Sequence, residues 1–262
     1  KPSRMKTYLI AANWKQNGTK KSLNRLANGI IKNAKNKKIT NNIILLPPSI
    51  YIENISTLLK QKTLQNKKIS LGAQNISPYM DGAFTGEISA NMLKDYNCKY
   101  VLIGHSERRH IFLEKNKEIA AKVKLAIDSK LSVIFCVGET ITERNKKQTK
   151  RIIAQQLKIG LSSAVNLIKK NTARLVVAYE PVWAIGTGKT AKPRDIQDVH
   201  IFIRKTLSII LGNKSESIKI LYGGSVNEAN ASSILKLENV DGALVGGASL
   251  NTKKFIEICS SI

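Results

Sequence analysis

Four polar side chains in this sequence follow short aliphatic runs: Asn13 and Lys15, His105, and Glu180. Asn13 can donate to an oxygen, and Lys15 supplies a mobile positive charge suited to a phosphate or a developing oxyanion. His105 is one of three histidines and stands in Gly104-His105-Ser106-Glu107-Arg108-Arg109, where Ser106 is placed to cap a following helix. An imidazole at a helix N-terminus is favoured as a neutral hydrogen-bond donor to a substrate oxygen. Glu180 ends an apolar run and is followed by Pro181 and, a few residues on, by Gly186 and Gly188. A carboxylate there is a candidate for proton transfer, beside a segment whose start is fixed by proline and whose far end is freed by glycine.

Taken singly, each signal has a plainer reading. Asn17-Gly18 marks a turn, with Lys15 beside it as a solvated cation. His105 fits a core or capping histidine, and Glu180 fits a surface carboxylate in an ordinary turn. Glu107 suits a structural pairing with Lys15 or Arg108. Two glycine turns close the series, Tyr222-Gly223-Gly224-Ser225-Val226 and Val245-Gly246-Gly247-Ala248. Such turns can offer backbone N–H groups to a phosphate, although paired glycines are common in turns of every kind.

The elements that must position these residues are strands alternating with helices. Eight runs read as strands: 8–12, 43–46, 69–73, 100–103, 132–137, 175–179, 218–221 and 243–245. They are continuous rather than alternating in hydrophobicity, as expected of parallel strands covered on both faces. Leu23, Leu26, Ala27, Ile30 and Ile31 form a helical stripe, as do Ile119, Ala120, Val123, Ala126 and Ile127, and 152–168 reads as one helix. Eight strand–helix repeats without a long linker predict an α/β fold, a (β/α)8 barrel over residues 6–262 with 1–5 as a short tail. In such a barrel the strand ends holding Asn13, Lys15, His105 and Glu180 share one rim.

With those blocks in order, the sequence resembles the triosephosphate isomerase family from about Lys6 to its end. The matching segments are Asn13-Trp14-Lys15, Gly82 to Glu87, Gly104 to Arg109, Cys136-Val137-Gly138-Glu139, Ala178 to Lys189, and Tyr222 to Val226. The resemblance implies interconversion of dihydroxyacetone phosphate and D-glyceraldehyde 3-phosphate through an enediolate, without metal or other cofactor. It makes Glu180 the base, Lys15 and His105 the electrophilic residues, and Asn13 part of the site wall; Ser106 and Glu107, read from the residues themselves, are expected to support them. It sets the substrate phosphate against Gly186, Ser225, Gly246 and Gly247. It also implies a homodimer in which the loop holding Phe84 and Thr85 reaches the partner near Asn13 and Lys15. Gln16 stands where the family commonly has Met, and Ala12 where it commonly has Gly. Cys136 matches a family cysteine and is expected to be buried packing.

Composition fits a globular enzyme, with 42% apolar residues over 262 positions. Forty-three Lys and Arg against eighteen Asp and Glu give a formal charge of +25. That excess attracts phosphate esters and, without specificity, nucleic acid. Lysines scattered beside asparagines, and the lack of a basic-aromatic repeat, argue against a specific nucleic-acid module. Three widely spaced cysteines suit a reducing compartment. No run nears the ~18 to 20 apolar residues of a membrane span, so a cytoplasmic location is expected. The competing enzymatic reading is another phosphate-binding barrel, such as a pentose-phosphate epimerase.

Overall fold

The computed structural model describes residues 6–62, 68–185, 187 and 189–262; the tail 1–5 and the Gly186 and Gly188 positions lie outside them. Eight strands close into an all-parallel barrel in sequence order: β1 Leu9–Asn13, β2 Asn42–Leu46, β3 Ile69–Ala73, β4 Cys98–Ile103, β5 Ser132–Val137, β6 Leu175–Tyr179, β7 Lys219–Tyr222 and β8 Gly242–Val245. Closure pairs Leu9 with Asn42 on one side and with Gly242 on the other.

Alternation along each strand divides the core into two layers. Leu9, Ala11, Ile44, Leu46, Ile134, Cys136 and Leu244 pack with one another in the barrel interior. Their neighbours Ile10, Ala12, Ile43, Leu45, Val133, Phe135 and Val245 pack in the larger layer beneath the helices. Both faces are apolar and buried, which is why the strands read as continuous hydrophobic runs. One register shift, at Leu71/Gly72 in β3, falls where a Cβ on Gly72 would meet the Tyr100 carbonyl oxygen at 2.9 Å.

Both helical stripes are buried, on Lys20–Asn36 and Asn116–Asp128. The segment 152–168 departs from expectation. It is an α-helix Thr149–Leu161, a 3-10 turn Ser162–Ala164 and a second α-helix Val165–Lys170. At the break Ser162 Oγ donates to the Ile159 carbonyl, a local side-chain bond of the kind that competes with the helical ladder, and Ser163 Oγ donates to the Ala120 carbonyl of the helix Asn116–Asp128. Among the described residues no helix is long and apolar enough to cross a membrane.

Candidate active site

The C-terminal ends of β1, β4 and β6 bring Asn13, Lys15, His105 and Glu180 to one rim, where loops of this fold carry chemistry. Lys15 adopts φ 51°, an uncommon conformation for a side chain with a Cβ. Its backbone is held from both sides: its N–H donates to Asn13 Oδ1 at 3.0 Å, and its carbonyl accepts Gln74 Nε2 at 2.9 Å. Gln74 Nε2 also donates to the Leu46 carbonyl at 2.9 Å, which ties β1, β2 and the loop after β3 together beneath Lys15. The Lys15 ammonium pairs with Glu107 Oε1 at 2.7 Å, so Glu107 takes the first of the two partners foreseen for it.

His105, rather than Ser106, caps the short helix Ser106–His110. Its Nδ1 accepts the Glu107 N–H at 3.2 Å, because the ring folds back over the first turn. In the neutral ring the proton then sits on Nε2, which lies 3.2 Å from Glu180 Oε2. The Ser106 hydroxyl, freed from capping, donates to the same Oε2 at 2.9 Å. Glu180 is 1% exposed, and its Oε1 has no hydrogen-bond partner among the described residues.

Glycine makes room for this carboxylate. A Cβ on Gly223 would stand 2.9 Å from Glu180 Cγ, and one on Gly138 would overlap the Glu180 carbonyl oxygen. Backbone bonds Glu180 N to Val137 O and Gly223 N to Tyr179 O, each 2.7 Å, hold β5, β6 and β7 together at this point. Cys136 is fully buried below, its thiol pushed well above the usual range by burial and then by the Glu180 charge. Such burial disfavours the reactive thiolate and fits the packing expected of Cys136.

Toward β7 and β8 an open pocket of about 510 Å³ is lined by Lys15, His105, Ser225, Gly246 and Gly247. Ser225 Oγ donates to the Ala184 carbonyl at 2.6 Å. A Cβ on Gly247 would meet nothing, and one on Gly246 would face Lys15 Cε at 3.6 Å, so both glycines border open space beside the cation. Among the described residues no group of three or more His, Cys, Asp or Glu is gathered to hold a metal ion.

Residues 8–262 match the family model described as triosephosphate isomerase. The chain belongs to the triosephosphate isomerase family. Its relatives include the triosephosphate isomerase of Lawsonia intracellularis, 48% identical with 95% of this chain and 96% of that one covered. That of Hydrogenovibrio crunogenus is 46% identical, with 98% of each covered. That of Ruthia magnifica is 40% identical, covering 98% of this chain and all of its own.

Three supporting residues of this family member escaped the reading of the sequence. Gln74 is one. Arg109 is another, donating to the Gly104 and Cys136 carbonyls at 2.7 and 3.0 Å and to Asn116 Oδ1 at 2.7 Å, which braces the backbone before His105. The third, Glu139, is 0% exposed and accepts from Tyr179 Oη and Trp183 Nε1. A signal was present for the last two: each is a charged residue inside a short block just past an apolar strand.

Proposed function

We propose that Glu180 is the base that shuttles a proton between neighbouring carbons in the interconversion of dihydroxyacetone phosphate and D-glyceraldehyde 3-phosphate, the reaction of the family to which this chain belongs. The observation that carries this reading is the buried Glu180 carboxylate 3.2 Å from His105 Nε2, on the same rim as Lys15. Glu180 takes the proton from the carbon beside the carbonyl, leaving an enediolate. His105 Nε2–H and the Lys15 ammonium stabilise the oxygens that gain charge. Delivery of the proton to the adjacent carbon completes the isomerisation. Asn13 lends its carboxamide donor to the same oxygens while its Oδ1 holds the Lys15 backbone. Ser106 and Glu107 support, the first holding Glu180 Oε2 and the second neutralising Lys15.

The phosphate is assigned to the pocket bordered by Ser225, Gly246 and Gly247, where backbone N–H groups beside Lys15 suit an anion. Gly186, expected to join them, lies outside the described residues. The segment 181–191 is assigned as the cover that excludes water from the intermediate.

Residues 6–262 act as one barrel domain that self-associates in the cytoplasm. Support for a dimer comes from an open pocket of about 840 Å³ bordered by Lys15, Gln16, Gln74 and Phe112. Nearby, Tyr79 and Phe84 stack with centroids 4.2 Å apart although 51% and 41% exposed. The loop holding Phe84 and Thr85 is the piece that fills the pocket of the second copy, completing the surroundings of Lys15.

The test is a coupled assay with each triose phosphate and with ribulose 5-phosphate, on wild type, Glu180→Asp and Glu180→Gln. Turnover of the triose phosphates alone is expected, falling about 10²- to 10⁴-fold in Glu180→Gln, the range for loss of a general base. Wild-type turnover in Glu180→Gln would remove the assignment.

A further inference from the structure

Around Glu139 the chain builds a polar cluster that the proton transfer itself does not use. Glu139 follows β5, and its carboxylate accepts from Tyr179 Oη at 3.1 Å to each oxygen and from Trp183 Nε1 at 3.2 Å. Its backbone carbonyl accepts the Val182 N–H at 3.1 Å. Residues 179, 182 and 183 flank Glu180, so one buried carboxylate holds the chain on both sides of the proposed base.

A buried carboxylate is costly unless a cation and hydrogen bonds accompany it, and burial pushes the Glu139 carboxyl above the usual range. The cation that meets it is Arg144. Its Nη1 lies 3.5 Å from Glu139 Oε1, and its Nη2 lies 3.0 Å from Asp195 Oδ2. The guanidinium also sits over the Trp183 ring, 4.6 Å from the centroid. A planar guanidinium can stack on an aromatic face while bonding two carboxylates from its edges, which an ammonium does not reproduce.

The anchor points are themselves fixed. Arg144 lies in the short helix Ile141–Asn145, closed by a capping box between Thr140 and Glu143. Asp195 lies in the first turn of the long helix Pro193–Leu211, where an acidic side chain is favoured by the helix dipole. Arg144 thus links the loop after β5, the turn after β6, and the helix that begins after residue 192.

We propose that Arg144 is a positioning residue for the isomerase reaction, a clasp that joins Glu139, Trp183 and Asp195 and so fixes the backbone that carries Glu180. The inference rests on the assignment of Glu180 as the base. Arg144 acts through its neighbours, and the base it serves is two positions from Val182 and one from Tyr179.

The experiment compares wild type, Arg144→Ala, Arg144→Lys, Asp195→Asn and Glu180→Gln in the triose phosphate assay, with folding checked by circular dichroism. A misplaced base lowers turnover more than binding, so Arg144→Ala should lose about tenfold to a hundredfold in kcat with KM changed less than about threefold. Added guanidinium ion should restore part of that turnover, and methylammonium at equal ionic strength should not. Arg144→Lys and Asp195→Asn should fall between Arg144→Ala and wild type. Wild-type kcat in folded Arg144→Ala, with Glu180→Gln inactive, would overturn the clasp and leave the base assignment standing. An active Glu180→Gln would overturn both. Should Arg144→Ala not fold, Arg144→Lys decides: kcat equal to wild type overturns the proposal, and a several-fold loss with intact fold supports it.

Discussion

His105 Nε2 lies 3.2 Å from Glu180 Oε2, although the two residues are 75 positions apart and stand just past strands separated by β5. The Ser106 hydroxyl shares that oxygen at 2.9 Å. The carboxylate therefore carries two ties on one oxygen and none on the other among the described residues.

That asymmetry separates holding the base from being the base. Ser106→Ala removes one charge-assisted hydrogen bond from a buried carboxylate, which costs about 2 kcal/mol of stability. His105 still meets Oε2, so kcat should fall less than tenfold, far less than in Glu180→Gln. Urea unfolding and the triose phosphate assay give the two quantities. Equal loss of activity in Ser106→Ala and Glu180→Gln would show that Ser106 handles the proton itself.

Two glycines near Glu180 should fail in different ways. A Cβ at Gly223 meets the Glu180 side chain at 2.9 Å and the Tyr179 carbonyl oxygen at 3.2 Å. The flexible side chain can shift, so Gly223→Ala should fold and lose tenfold or more in kcat. A Cβ at Gly138 overlaps the Glu180 backbone carbonyl, which cannot move without parting β5 from β6. Gly138→Ala should yield little folded protein. Soluble yield and kcat for the pair distinguish side-chain displacement from backbone overlap, and an active, stable Gly138→Ala would refute the geometry.

The strands were legible because burial on both faces leaves unbroken apolar runs, and their predicted ends fall within two residues of those observed. The rim residues were legible from their place at strand ends together with the family blocks. Ser106 was misjudged as a cap because a serine and a histidine side chain can each reach a helix's first N–H groups, and only the ring's fold over Glu107 decides between them. Glu139 stood in a matched block after β5, but its meeting with Arg144 and Asp195 was not legible. The three meet because β5 pairs with β6 and the first turn of the helix Pro193–Leu211 brings Asp195 to Arg144, a closeness that no local spacing encodes.

Self-association should be tied to activity. The Tyr79–Phe84 stack is exposed, and Ile111 and Phe112 are 68% and 63% exposed. Exposed apolar side chains clustered in this way favour burial against a second copy. Wild type should sediment at twice the monomer mass. Phe84→Asp should shift that equilibrium toward monomer and lower kcat, since the loop is assigned to the partner's Lys15 pocket. A monomeric variant with full kcat would separate assembly from the site.

Acid should weaken the fold through His200. The ring is 0% exposed, its Nδ1 donates to the Asn239 carbonyl at 2.8 Å, and its Nε2 has no partner among the described residues. Burial lowers its pKa from 6.5 to about 4, with Arg204 and Lys6 adding to the shift while the Asn239 carbonyl and Asp241 oppose it. A folded pKa below the unfolded one means the unfolded chain takes the proton first. The stabilisation is therefore complete above pH 6.5 and is lost as pH falls toward 4, by about 3 kcal/mol in full. Glu139, raised by burial, acts in the opposite sense at the acid end, so the informative quantity is a difference between variants. His200→Gln keeps an amide donor for Asn239 and removes the titration. Its urea midpoint should lie below wild type at pH 7.5, and the gap should narrow by pH 4.5. A gap that stays constant across that range would show that His200 does not titrate with unfolding.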